Sequence, residues 1–263
     1  MTESRRSRAA VVGGVAWLVL IEYRRYVFNM VSAAITMTLM FGVLLGGMQG
    51  LAAVEGITLG TSLESAVVGL LVWTLALLSY QSWSYGIVRE AQTGTLEQLY
   101  LTPWGFHWVA LGRLLGDLIL PLMFAVLSLV VGFLFTRRPL HIDVFTLIPI
   151  CLATILQAWG IGLILGGLAL IFKRVEASFQ IVQFVFIGLI GLAGFGRLPA
   201  VFALPLVLSA RVAQRSLVGG ISLWQQPEAP WLAAVTALWL VIGALVYRRL
   251  ERIAVTQGKL GQY

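Results

Sequence analysis

Arg89-Glu90-Ala91-Gln92-Thr93-Gly94-Thr95-Leu96-Glu97-Gln98-Leu99-Tyr100-Leu101-Thr102-Pro103-Trp104-Gly105 is a polar stretch set between two long apolar runs. Thr95 is placed to N-cap a helix, and Gln98, three residues on, closes a capping box. Gly94 frees the backbone ahead of that cap, and Pro103 ends the helix on its far side. The pattern predicts a short helix from Leu96 to Leu101. Glu97 falls in its first turn, where the helix dipole favours a carboxylate. Leu96, Leu99 and Tyr100 share one face, and Glu97 and Gln98 point elsewhere. A helix this short does not hold itself together in water. It has to rest on something, either the headgroup layer or a partner protein.

The rest of the chain says which solvent surrounds that stretch. Of its 263 residues, 59% are hydrophobic and only 11% are charged, where a soluble domain carries about 25% charged residues. Several runs reach the roughly 20 apolar residues that cross a bilayer. The sequence therefore reads as an all-α integral membrane protein, a single membrane domain over residues 1–263. The net charge of +7 belongs to basic residues at the ends of apolar runs. That is a topology signal and not a nucleic-acid footprint. The single cysteine, Cys151, sits inside an apolar run and reads as packing.

Taken in order, residues 1–10 are polar and basic and read as unstructured, and Val11 to Tyr26 reads as an interfacial helix along the inner leaflet. The alternative is that Val11 begins the first spanning helix. Six spans come next, over about residues 27–48, 63–85, 108–135, 144–172, 177–194 and 231–247. Residues 196–230, broken by Pro199, Pro205, Pro227 and Pro230, are too interrupted to span and read as short re-entrant or interfacial helices. With both termini inside, the cytosolic segments hold thirteen of the 18 Lys and Arg. The other five, Arg137, Arg138, Arg197, Arg211 and Arg215, lie outside. The positive-inside rule supports that orientation and puts residues 89–105 in the cytosol.

The segment Glu90-x-x-x-Gly94-Thr95-Leu96-Glu97-x-Leu99-x-x-x-Pro103 resembles the coupling-helix signature of ABC type-2 transporter permeases. The tail, Tyr247-Arg-Arg-x-Glu251-Arg-Ile-Ala and then Gly258-Lys259, is similar to that family's last turn. The resemblance implies that Glu90, Gly94, Thr95, Leu96, Glu97, Gln98, Leu99 and Pro103 couple to a separate ATPase subunit. It also implies two copies of that subunit, carrying ATP and Mg, and a second permease chain, with a homodimer expected. In that family the first and fifth spans meet their counterparts. By that analogy Asn29, Met30, Thr36, Phe179, Gln180, Gln183 and Phe184 become candidates for the substrate route. Gln180 and Gln183 lie i, i+3 on one face and serve equally as interhelical glue.

No Gly-x-x-x-x-Gly-Lys-Ser/Thr loop occurs, so nothing in this chain is built to cradle a nucleotide phosphate. No cofactor or metal is expected in it, because His107 and His141 fall in segments assigned to opposite sides of the membrane. Arg113 and Asp117, four residues apart in the third span, read as a structural ion pair ahead of a proton relay. Glu90 either docks the ATPase or pairs with Arg89 or Arg113. Tyr80, Trp83 and Tyr85 read as an interfacial aromatic belt ahead of a binding cage. Gly42-x-x-x-Gly46, Gly112-x-x-x-Gly116 and Gly162-x-x-x-Gly166 permit close helix approach within one chain. The expected function is the permease of an ATP-driven exporter of an amphipathic drug, antibiotic or lipid-like molecule in the cell membrane. Lipid-linked glycan export is the alternative within transport. A membrane-embedded enzyme using His107, Arg113 and Asp117 is the alternative from another class.

Overall fold

A computed structural model of the chain describes residues 2–55, 61–93, 106–137, 140–172, 175–194 and 199–256. They form nine α-helices and two short 3-10 turns, with no strand among them. In order these are α1 (Thr2–Arg25), α2 (Val27–Glu55), α3 (Thr61–Thr93), α4 (Phe106–Asp117) and α5 (Ile119–Thr136). After them come α6 (Val144–Ile171), α7 (Glu176–Leu192), α8 (Val207–Leu217) and α9 (Ala229–Thr256). Four of these, α2, α3, α6 and α9, and α4 and α5 taken together, are long and apolar enough to cross a membrane. The remaining expected span, residues 177–194, forms the 17-residue apolar helix α7. At about 25 Å it is shorter than the roughly 30 Å hydrocarbon core. The protein is an all-α, multi-pass membrane protein.

The third apolar run is two helices because of Pro121. Proline has no N–H to give the carbonyl four residues back, at Asp117, so the ladder breaks there and resumes at Ile119. Helix α1 starts at Thr2, where an unstructured tail is expected over residues 1–10, and packs lengthwise on α4. Gly112 and Gly116 leave a flat strip on α4 against which Val12, Val15 and Val19 lie.

The core is the sandwich of α3, α6 and α9, with α8 tucked against it. Gly162 sits on the Tyr80 backbone and Gly166 on the Trp83 indole, while Gly160 and Gly243 bring α6 and α9 together backbone to backbone. The Gly42 to Gly46 strip of α2 receives the Phe135 ring of the same chain. Tyr80 and Trp83 are buried, and only Tyr85 is exposed. An aromatic belt is therefore not what Tyr80 and Trp83 form. The Tyr80 hydroxyl donates to the Phe179 carbonyl at 2.8 Å, and Trp83 packs edge-on against Trp159 and Tyr247. Their hydrophobic area is better used inside the bundle than at its rim.

Residues 199–217 re-enter the bundle. A 3-10 turn, Pro199–Ala203, leads to Leu206, whose φ of 66° is left-handed, and α8 runs back from there. A leucine in that conformation costs of order 1–3 kcal/mol and persists only where its surroundings hold it. Gln157 of α6 is that restraint. It is fully buried, its Oε1 accepts the Leu206 N–H at 2.8 Å, and its Nε2 donates to Thr236 on α9 at 2.9 Å.

Candidate functional site

Of the expected coupling residues, Gly94, Thr95, Leu96, Glu97, Gln98, Leu99 and Pro103 lie outside the described residues, as does the His107 side chain. The frame on both sides of them is described. Glu90, in the last turns of α3, accepts a hydrogen bond from the Arg113 guanidinium on α4. Arg113 reaches it because Gly86 lies beneath the guanidinium, and a side chain at that position would collide with it. The Asp117 carboxylate is 3.9 Å from Arg113 Nε, a longer contact than the one to Glu90. So Arg113 ties α4 to α3 first and to its own helix second.

Helix α1 joins the same cluster. The Tyr23 hydroxyl donates to Asp117 Oδ1 at 3.0 Å, and Arg89 donates to Glu22 at 3.1 Å. Burial, reinforced by the neighbouring Asp117 carboxylate, pushes the Tyr23 hydroxyl well above its ordinary value of 10.0. The pair Arg113 and Glu90 is mostly buried, whereas Arg89 and Glu22 are exposed and contribute little. Glu22, Tyr23, Gln81, Ser82, Arg113 and Asp117, with Val19, Leu78 and Leu120, line a cleft of about 280 Å³ between α1, α3 and the α4–α5 junction. The helices carrying the cluster continue well past a bilayer's thickness. Residues 62–90 and 108–136 each hold 29 residues, about 43 Å of helix against a core of about 30 Å. The cluster therefore sits toward one end, next to the segment 94–105.

The route candidates fall on two thinly packed helices. Asn29 and Thr36 are exposed on α2, and the Thr36 hydroxyl bonds back to the Ser32 carbonyl at 2.9 Å. Gln180 and Phe184 are exposed on α7, while Met30 and Gln183 are half-buried. Phe179 departs from this group: it is buried, and its ring meets Tyr85 edge-on at 4.9 Å. Adjacent residues of α3 hold both helices, since the Trp73 indole donates to the Gln183 carbonyl at 3.3 Å and the Thr74 hydroxyl meets Met37. Helices α2 and α7 thus flank one edge of α3 at the same depth.

Sequence reasoning passes over Gln157, although its signal is visible there: an amide within an otherwise apolar span is expensive and marks a partner. Glu22 reads in the sequence as an ordinary interfacial charge. A far-end ionic group, in which Arg211 and Arg215 of α8 both face Glu228, has no local signature either.

Residues 15–206, well over half of the chain, match the family described as ABC-2 type transporter, and the chain belongs to that family. No curated protein and no solved structure matches it. Membership makes the chain an ABC permease subunit, a transport component of a multi-pass membrane system with an ABC ATPase as its general partner.

Proposed function

We propose that the chain is the permease of an exporter that moves an amphipathic small molecule out of the cytoplasm. ATP and Mg act on a separate ATPase subunit, present in two copies and docked on residues 89–105. Two permease chains form the homodimer, with both termini cytoplasmic in the cell membrane.

The observation that supports this reading is the cluster at Glu90, Arg113, Asp117 and Tyr23. It clamps together the two helices that enter and leave segment 94–105, with α1 alongside. A push on that segment is delivered to α1, α3 and α4 as one body. The exposed apolar faces of α2 and α7 suit a second chain or the passage of an apolar molecule.

The test is co-purification in mild detergent with the cell's P-loop ATPases, repeated with Glu97→Arg and with Arg113→Ala. Glu97→Arg is expected to lose the bound ATPase by about tenfold or more, as a charge reversal at a docking centre does. Arg113→Ala is expected to keep the ATPase while separating its turnover from efflux of an amphipathic dye. A wild-type chain that purifies without any ATPase, or full efflux in both variants, sinks the reading.

A further inference from the structure

Helices α5 and α6 are consecutive in the chain and both pack on α3, yet they scarcely touch each other. Between them runs a groove of about 720 Å³, walled by Leu122, Ala125, Leu129 and Phe133 on α5 and by Leu147 and Cys151 on α6. Among the described residues, no charged or hydrogen-bonding polar side chain lines it. Its floor belongs to the core, since Ala125, Leu129 and Cys151 are buried, while Val126, Val130 and Ile148 open outward. From Leu122 to Phe133 the slot runs about 16 Å along α5. A void of this size forfeits the dispersion contacts of every atom on its walls, and it offers water no partner. In a bilayer the molecule at hand that is apolar, thin and long enough is a lipid acyl chain.

The mouth of the slot selects the headgroup. Arg137, which caps the C-terminal end of α5, is exposed, and its backbone N–H bonds the Phe133 carbonyl one turn below. Asp143, which opens α6 beside the loop, serves as a cap: it accepts the Phe145 N–H at 3.2 Å and the Thr146 hydroxyl at 2.7 Å. His141 is turned to the re-entrant side, its N–H bonded to the Leu217 carbonyl and its ring over Gly220. We infer that the groove between α5 and α6 binds one acyl chain of an anionic phospholipid, with the phosphate of its headgroup held at Arg137. The lipid is then a structural filler between two spans that the chain itself leaves apart, in the leaflet of the α5–α6 loop.

Native mass spectrometry of the full chain tests this, with phosphatidylglycerol and phosphatidylcholine of identical acyl chains added in equal amounts. The wild type should retain one lipid and favour phosphatidylglycerol about fivefold, the effect of one basic side chain on an anionic headgroup. Arg137→Gln should bring the two lipids to parity with a lipid still bound. Val130→Trp and Ile148→Trp fill the slot from opposite walls at half-exposed positions, and each should cut retained lipid about tenfold. Val185→Trp, equally exposed on α7, should leave it unchanged. Equal retention of the two lipids by the wild type overturns the proposal, and so does unchanged lipid in both tryptophan variants. Loss of a second protein chain, and not of lipid, in those variants would make the groove a protein seam and overturn it as well.

Discussion

Helices α2 and α3 are comparably apolar, yet 61% of an 18-residue apolar stretch of α3 is buried inside the chain and 6% of the corresponding stretch of α2. What separates them is what each carries besides hydrophobic bulk. Helix α3 meets glycines of α6 with Tyr80 and Trp83, and it ends in the charged cluster with α4. In lipid, bulk alone gives helices no reason to associate, because the surrounding tails are as apolar as leucine. Close backbone approach and hydrogen bonds decide which helix becomes the centre. Helix α2, and α7 with it, is left as an outer face available to a second chain, to substrate or to lipid.

Breaking the centre should therefore cost far more than altering that face. At the α6–α9 crossing, Gly243 lies on the Gly160 backbone, which cannot move aside. Gly243→Val should cost at least about 3 kcal/mol and abolish the cooperative melt in detergent. Gly47→Val on α2, which meets nothing nearby, should leave melting within about 0.5 kcal/mol of wild type. A smaller loss is expected for Gln157→Leu, which strands the Leu206 N–H and removes the donor to Thr236, whose hydroxyl keeps its bond to the Leu232 carbonyl, about 2 kcal/mol by the same measurement. Gln180→Leu, exposed on α7, should be close to neutral. A similar cost for both glutamines would show that burial is not what distinguishes them.

The charged end gives a pH signature. The folded protein holds the Tyr23 hydroxyl proton more tightly than the unfolded chain does. Stability should thus be unaffected by this group below pH 10 and fall as pH rises above it. Tyr23→Phe should lose about 1 kcal/mol at neutral pH through its hydrogen bond to Asp117 and flatten the alkaline fall. An unchanged alkaline slope would remove Tyr23 from that cluster. The least effect on stability, within about 0.5 kcal/mol, is expected for Phe184→Ala on the exposed face of α7. The change should appear instead in chain–chain association by light scattering or in dye efflux.

The apolar runs were legible because their length is set by the bilayer, and the break around residues 196–230 because four prolines forbid a span. Both are local rules. The cluster around Glu90 was half legible. Arg113 and Asp117 stand four residues apart on one helix, but the contact of Arg113 with Glu90 crosses 23 residues and depends on the empty space above Gly86. The aromatic residues Tyr80 and Trp83 misled for the same reason: an amphipathic ring suits a membrane rim and a packed core equally, and only the glycines opposite it choose.

By itself the sequence determined that the chain lives in a membrane, where five apolar helices long enough to cross it lie, and which family its 89–105 segment resembles. The first two come from composition and spacing along the backbone, and the third from the likeness of its motif to a known family. The tertiary structure decided which spans form the centre, that α1 stands against α4, and that α5 and α6 part to leave a groove. Those outcomes turn on distances between residues far apart in the chain, fixed by how closely two backbones can approach, which no local pattern records.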